Sequence, residues 1–225
     1  MVLVEGVRAV DAALDGGARP RLAVVSDRLE NRPGGALLLD RLEGLGVDLR
    51  HVSATEFADL SDTETPQGVL LVAEERDVPV GALAPGRWLV LDGIQDPGNA
   101  GTLVRAAVAF GLDAVVALDG TVDLWSAKAV RASAGLVFRV PLARADVETL
   151  LETCAREGVT LLVADAGGVD VGGVELSGDV ALVMGNEGAG VRPELARAAR
   201  AVVAVPMRGP AESLNVGTAG SILLY

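Results

Sequence analysis

The sequence predicts an α/β protein built on a parallel sheet with helices on both faces. Predicted strands alternate with predicted helices along the chain, which is the pattern of a parallel sheet joined by helical crossovers. Most strands of the second part are continuous apolar runs, as expected of strands buried on both faces. The chain has 225 residues, 50% of them apolar and only 3% aromatic, so it can bury an ample core in one or two domains.

The composition and charge exclude several classes of protein. Apolar runs are strand-length and interrupted by Gly or Asp, so no stretch of about 20 residues could span a membrane. The amino end MVLVEGVRAV lacks the basic start and apolar stretch of a signal peptide, and we expect a cytoplasmic protein. A net charge of -12 argues against whole-surface binding of nucleic acid but leaves room for a local basic patch.

The cysteine and histidine content predicts neither a disulfide nor a metal site. Cys154 is the only cysteine and lies in a helical pattern, where a small buried thiol is the simplest explanation. His51 is the only histidine and has no second histidine or cysteine at a metal-binding spacing. We expect no metal cofactor.

Residues 1–76 are predicted to form a small α/β module. Ser53 followed by Glu56 fits a capping box that opens a short helix. The other predicted elements are a helix from residue 3 in LVEGVRAVDAAL, strand 21–26, helix 35–46, the strand VDLRHVS and strand 68–75.

Residues 77–87, DVPVGALAPGR, carry two prolines and two glycines and are predicted to link this module to a larger one at 88–225. The larger module shows a regular alternation of strands and helices. Its predicted elements are strand 88–93, helix 101–111, strand 114–118, helix 126–138, the strand VPLA, helix DVETLLETCAREG, strand TLLVADA, a glycine-rich connection GGVDVGGVELSGD, strand VALVMG, helix 192–199, strand AVVAVPM and a last helix from about Ser213.

Two polar loops follow predicted strands near the end of the chain, at 185–190 and 207–215. In an open α/β sheet the carboxyl ends of neighbouring strands form the crevice where ligands bind, so both loops are predicted to face one ligand. Neither GxGxxG nor GxxxxGK[ST] occurs, and GNEGAG has no Lys to meet a phosphate. Small residues and free backbone groups favour a nucleoside ligand without phosphates.

A third polar cluster, DPGNAGTLVR, follows the strand WLVLDG. Asn99 lies near the start of the next helix and Arg105 follows six residues later, so their directions differ by roughly 120° on an ideal helix. Spacing therefore does not pair them. From spacing alone Arg105 is a solvated helix residue.

The combination of motifs is more informative than any one of them. In order and spacing, LDGIQDPGNAGTLVRAAVAFG, MGNEGAG and VPMRGPAESLNV resemble the three signature motifs of the SpoU (TrmH-type) branch of the SPOUT RNA 2'-O-ribose methyltransferases. The resemblance extends to SAKAVRASAGLVFRVPL and, more weakly, to LVEGVRAVDAAL and TPQGVLLVAE in the first module.

The resemblance implies a fold and a cofactor. Residues 201–225 would pass through an earlier loop as a trefoil knot, and the first module would be an L30e-like RNA-binding domain. S-adenosyl-L-methionine would be the methyl donor. By motif match, the residues that would contact it or line its pocket are Met184, Gly185, Asn186, Gly188, Val205, Pro206, Met207 and Leu214.

The resemblance also implies the chemistry. Arg105 matches the arginine that assists the ribose 2'-hydroxyl, by lowering its pKa or stabilising the developing alkoxide. Asn99, Glu187, Ser213 and Asn215 would orient Arg105 and the ribose. Lys128, Arg131 and Arg208 would hold RNA phosphates. Relatives work as homodimers in which the motif arginine lies near the partner's cofactor pocket.

Alternatives remain open at this point. The two-module layout favours 23S ribosomal RNA as the substrate, transfer RNA is the second choice, and a catalytically inactive RNA-binding SPOUT protein is the third. An NAD-type dehydrogenase would need a phosphate loop that the sequence lacks. Gly217 and Gly220 depart from the family pattern, and we expect them to make the last helix less rigid.

Overall fold

The computed structural model describes residues 1–174, 177–211 and 213–225, and places two sheets in the chain. The first sheet has four strands in the order β1-β4-β2-β3. Only the pair β2 and β3 is parallel, because β4 runs antiparallel to both β1 and β2. The elements of this module are β1 (Val2–Glu5), α1 (Val7–Asp15), β2 (Pro20–Ser26), α2 (Gly35–Gly44), β3 (Asp48–Val52), α3 (Ala54–Leu60) and β4 (Val69–Ala73).

The amino end is a strand where the sequence predicted a helix. Val2 and Val4 are buried and pair with β4, while Gly6 at a φ of +95° ends the strand before α1 begins. The apolar residues before Gly6 alternate as in a strand, and those after it follow the spacing of a helix. Two elements were therefore predicted as one. The predicted capping box is confirmed, with Ser53 accepting from the Glu56 backbone and Glu56 accepting from the Ser53 backbone.

The second sheet contains seven strands, all parallel, in the order β11-β9-β10-β6-β7-β8-β5. Its strands are β5 (Asp77–Pro79), β6 (Arg87–Asp92), β7 (Ala114–Leu118), β8 (Leu142–Ala145), β9 (Thr160–Asp170), β10 (Val180–Gly185) and β11 (Ala201–Ala204). Its helices are α4 (Pro97–Ala109), α5 (Ala127–Ala132), α6 (Val147–Glu157), α7 (Pro193–Ala198) and α8 (Val216–Leu224). The predicted α/β class is confirmed.

Helices cover both faces of the parallel sheet. Leu89 and Leu91 of β6 belong to the apolar core shared with α4, α8 and the first module. Trp88 and Val90, which alternate with them, belong to a second core that contains residues of α6 and α7. The alternation explains why the strands are continuous apolar runs, since neither face meets water.

The structure differs from the predicted elements in three further places. The stretch 77–87 contributes β5 to the edge of the second sheet. The predicted helix 126–138 is divided into α5 and a short 3-10 helix, because Ala134 and Gly135 both have positive φ angles. The last helix begins at Val216, with Asn215 as its N-cap. Part of the predicted connection 167–179, Glu175 and Leu176, lies outside the described residues.

The two modules pack backbone to backbone. Gly135 follows α5, and a Cβ at this position would lie 2.2 Å from the carbonyl oxygen of Ala9 in α1. A Cβ at Gly16 would likewise lie 2.7 Å from the carbonyl oxygen of Phe138. Glycine at both positions therefore allows the first module to lie directly on the second. Among the described residues, the helices are too short or too polar to span a bilayer.

Candidate active site

A cavity of about 790 Å³ lies at the carboxyl ends of β9, β10 and β11. This is the edge of a parallel sheet at which ligands are expected. The register of β11 against β9 shifts there, from a pairing of Val202 with Val163 to a pairing of Val203 with Val169. Residues 164–168 are therefore looped out of the pairing, and Ala164, Asp165, Ala166 and Gly168 line the cavity.

Most of the predicted cofactor residues line this cavity. Gly188 is not part of the lining, because it lies in the turn beyond Asn186 and donates its N–H to Asn186 Oδ1 at 2.9 Å. Three of the predicted catalytic residues also line the cavity: Glu187, Ser213 and Asn215. The predicted cofactor residues in the lining are Met184, Gly185, Asn186, Val205, Pro206, Met207 and Leu214.

The loop after β10 is held in place by Asn186 and by a close approach at Gly185. Asn186 Nδ2 donates to the carbonyl oxygen of Gly93 at 2.7 Å, and the Asn186 backbone pairs with Gly190. A Cβ on Gly185 would lie 2.5 Å from the backbone N of Val191. A side chain cannot fit there without moving the backbone of the loop, so this glycine is a packing requirement.

Three polar side chains link the three sequence motifs. Asn99 Nδ2 donates to Glu187 Oε1 at 2.9 Å, and Asn215 Nδ2 donates to Asn99 Oδ1 at 2.9 Å. Burial alone would raise the pKa of Glu187, but hydrogen bonds from Asn99 and from backbone N–H groups outweigh it and hold the pKa below 4.5. Asp96 caps α4 by accepting from the Asn99 N–H, and this bond lowers the pKa of Asp96. The motifs thus meet at the starts of α4 and α8.

Glycines in α8 allow that helix to pack closely on α4. A Cβ at Gly220 would lie 2.2 Å from Leu103 Cδ2, and one at Gly217 would lie 3.1 Å from Thr102 Cγ2. Both glycines are buried. The two glycines that depart from the family pattern therefore serve the contact between α8 and α4.

The predicted RNA-facing cations lie outside the cavity. Arg105 is exposed on α4, and no hydrogen bond or ion pair joins it to another described residue. Lys128 Nζ is 3.4 Å from Asp96 Oδ2, and Arg131 Nη1 is 3.9 Å from Glu5 Oε2. Arg208 is exposed in the loop before α8. Asn99 also lies outside the lining, on which it acts through Glu187 and Asn215.

Sequence reasoning missed one wall of the cavity. Asp165 and Asp170 line it, although both were assigned to an unremarkable strand end and connection. The signal would have been strand order, because β9 lies between β10 and β11 and its carboxyl end must reach the same edge. The ion pair between the buried Asp92 and the partly exposed Arg192 was also missed. Arg192 donates its backbone N–H to Asp92 Oδ2 at 2.7 Å and Nε to Oδ1 at 2.5 Å.

Metal-ligating residues do not gather in the described part of the chain, where no three His, Cys, Asp or Glu side chains are close enough to hold an ion. The fold and this site define a class of α/β protein with a ligand-sized cavity at the carboxyl edge of a parallel sheet.

Comparison with known proteins identifies the family. The model of the SpoU rRNA methylase family matches residues 86–225, and that of an MRM3-like substrate binding domain matches residues 1–71. The 23S rRNA (guanosine(2553)-2'-O)-methyltransferase RlmP of Bacillus subtilis is 36% identical over 99% of this chain and 86% of its own. The 23S rRNA (guanosine-2'-O-)-methyltransferase RlmB of Coxiella burnetii is 32% identical over 99% of this chain and 93% of its own.

A solved structure supports the same family assignment. The AdoMet-bound rRNA methyltransferase from Sinorhizobium meliloti superimposes with a TM-score of 0.87 at 32% identity, and covers 99% of this chain and 85% of its own. The chain therefore belongs to the SpoU rRNA methylase family. The resemblance seen in the three motifs is confirmed.

Proposed function

We propose that this protein transfers a methyl group from S-adenosyl-L-methionine to a ribose 2'-hydroxyl of 23S ribosomal RNA. The observation that carries the proposal is the junction of three motifs at one cavity, through the hydrogen bonds among Asn99, Glu187 and Asn215. The names of the relatives from Bacillus and Coxiella support ribosomal RNA over transfer RNA as the substrate.

The cavity suits the methyl donor. Its volume of about 790 Å³ is within the range of cofactor sites. Carboxylates of Asp165, Asp170 and Glu187 reach the lining, and no Lys, Arg or His is among the described lining residues. Such a site favours a cationic ligand without phosphates, and S-adenosyl-L-methionine carries a positive sulfonium. The remaining contacts would come from the backbone around Gly185, Val205 and Leu214.

The residues of this chain would prepare the ribose for the transfer. When bound, the cofactor supplies an electrophilic methyl group. A hydroxyl is a poor nucleophile until its proton leaves or its developing charge is stabilised. A guanidinium group is a donor rather than a base in proteins, so the role of Arg105 would be to stabilise the alkoxide as it forms. Glu187 and Asn215 would hold Asn99, and with Ser213 they would fix the ribose at the cavity mouth.

A second copy of the chain would complete the site. Arg105 is exposed and lies outside the cavity of its own chain. We propose a homodimer in which Arg105 of one copy faces the cavity of the other. Mixed dimers test this arrangement. A dimer of Arg105→Ala with Gly185→Ala chains keeps one intact site if Arg105 acts across the interface, and none if it acts within its own chain.

The first module would bind the folded RNA, while Lys128, Arg131 and Arg208 hold phosphates near the reactive ribose. Because the net charge is -12, we expect a preformed RNA surface to be needed and binding to depend strongly on salt. The trefoil knot over 201–225 and a cytoplasmic location stay predictions.

Methyl transfer from tritium-labelled S-adenosyl-L-methionine tests the function. Ribosomal RNA from a strain that lacks the gene should accept the label. Mapping of 2'-O-methyl sites in that strain should find one nucleotide of 23S RNA that has lost its methyl group. Label in transfer RNA alone would show that transfer RNA, and not 23S RNA, is the substrate. Absence of label in either RNA, while the cofactor still binds, would leave the inactive RNA-binding protein as the function.

A further inference from the structure

A second, smaller cavity of about 220 Å³ lies where the two modules meet. We call it the junction pocket. Glu5 and Arg8 reach it from the start of the first module, Thr63 and Thr65 from the loop before β4, and Arg131 from α5 of the second module. Its volume is below the roughly 300 Å³ of small drug-binding pockets, so it has room for one flat group rather than a whole nucleotide.

Glu5 presents an unsatisfied acceptor to this pocket. Its side chain is only 7% exposed. Oε1 accepts from the hydroxyls of Ser61 and Thr63, whereas Oε2 has no hydrogen bond from any described residue and only Arg131 Nη1 at 3.9 Å. No fully buried side-chain nitrogen or oxygen in the described residues lacks a partner, so Oε2 must be accessible from the pocket. A carboxylate this buried normally has acceptor bonds on both oxygens.

Two guanidinium groups line the same pocket. Arg8 is exposed, and its side chain makes no hydrogen bond or ion pair with another described residue. The side chain of Arg131 is 39% exposed, and its weak contact with Glu5 leaves most of its five N–H donors free. The pocket therefore combines a planar acceptor with planar donors, as a site for one polar edge of a flat ligand would.

The junction pocket lies along the same helix as the edge of the active site. Lys128 in the first turn of α5 contacts Asp96, which caps α4 beside Asn99. Arg131 follows Lys128 by three residues, about one helical turn. An RNA strand whose ribose lies at the cavity mouth could therefore extend along α5 and reach the junction pocket.

We propose that the junction pocket binds an unstacked guanine base of the RNA substrate. Guanine presents two donors, N1–H and the N2 amine, which match the free oxygen of Glu5. It also presents the acceptors O6 and N7, to which arginine donates in a bidentate manner. Adenine lacks the paired donors, and single-stranded bases are the parts of RNA that proteins read in this way. The inference rests on the proposed RNA-binding function and names a base-reading site within it.

Stem–loop RNAs test the proposal; each has a loop of seven uridines whose central uridine is replaced by guanosine, inosine or adenosine, and we call these loops heptamers. Affinities are measured by fluorescence polarisation with the full chain. The parent should bind the guanosine heptamer about tenfold more tightly than the adenosine heptamer, with inosine between them because it lacks the N2 amine. Glu5→Gln keeps the shape and the bond from Thr63 but should bring the three affinities together. Arg8→Ala changes an exposed side chain and should lower the ratio of guanosine to adenosine.

Arg19→Ala is the matched control. Arg19 lies beside the start of β2, at the end of the sheet opposite Glu5, where it is 3.8 Å from Glu74. The variant should keep the guanosine preference. Equal affinity of the parent for the three heptamers, including no measurable binding, overturns the proposal, as does a full preference in Glu5→Gln. Methyl transfer to 23S RNA is assayed separately. A guanosine preference without methyl transfer would support the proposed guanine site and contradict the proposed methyltransferase function.

Discussion

The cofactor cavity and the surface that carries the basic residues are held in different ways. Around the cavity, distant segments are joined by hydrogen bonds, since Asn186 donates to the backbone carbonyl of Gly93 and Asn99 donates to the Glu187 carboxylate. On the basic surface, Arg105 and Arg208 are exposed, and Lys128 contacts only a partly exposed carboxylate. The cavity that we propose for the methyl donor is therefore held by contacts within one chain. We expect the proposed acceptor side to be ordered by RNA or by a second chain.

Arg105→Ala should separate the two sides most strongly. We expect methyl transfer to fall by about 10²–10³, the usual loss when a donor to a developing oxyanion is removed. The affinity for S-adenosyl-L-methionine should stay nearly unchanged, because Arg105 does not line the cavity of its own chain and is proposed to meet the ribose hydroxyl, not the cofactor, at the partner's cavity. Tritium transfer measures the first quantity and calorimetry the second. Arg19→Ala should behave like the parent, and an Arg105→Ala variant as active as the parent would contradict the mechanism.

Gly185→Ala should damage the donor side. The added Cβ would lie 2.5 Å from the backbone of Gly190 and Val191, which should cost about 1–3 kcal/mol of stability and about tenfold in cofactor affinity. Gly188→Ala is the control, since the nearest atom to its Cβ would be Asn186 Oδ1 at 3.6 Å. Thermal unfolding and calorimetry should show a large effect at Gly185 and little at Gly188. A large effect at Gly188 on cofactor affinity would indicate that Gly188 contacts the cofactor, as the sequence predicted.

The same contrast explains how much the sequence could predict. Strand runs and cap residues are local, so the parallel sheet and the capping box at Ser53 followed from composition and spacing. Motif order then brought Glu187 and Asn215 to one site. The positions of Asp165 and Asp170 depend on β9 lying between β10 and β11, a long-range order that apolar periodicity does not contain. The helix predicted from residue 3 begins only at Val7, because Gly6 divides one apolar pattern into a strand and a helix.

Removal of the cations that we propose to bind phosphate should have a smaller effect than either change in the site. Arg208→Ala and Lys128→Ala should each weaken binding of 23S RNA about threefold and reduce the salt slope by about one. Lys128→Ala should have the smaller effect, since the lysine already contacts Asp96. Filter binding between 50 and about 200 mM salt measures both slopes. Unchanged slopes in both variants would exclude these residues from phosphate contact.

The smallest predicted effect concerns the link between the two sides, Asn99. Asn99→Ala removes a hydrogen bond to Glu187, whose pKa is below 4.5 in the folded chain. A carboxyl group with a lowered pKa stabilises the fold above its unfolded pKa, and that contribution is lost as the pH falls through the folded pKa. The difference in free energy of unfolding between parent and variant should therefore be largest near neutral pH. It should shrink below about pH 4.

Because Glu187 is exposed, the part of this difference that depends on pH should stay below about 1 kcal/mol. The lost bond between Asn215 and Asn99 contributes equally at every pH and does not alter the trend. Urea unfolding between pH 3.5 and 7 measures the difference. In a Glu187→Gln background the pH dependence of the Asn99→Ala effect should vanish, because the titrating group is gone. If the difference is the same at every pH at which the chain stays folded, Asn99 stabilises the site through Asn215 rather than through the Glu187 carboxylate.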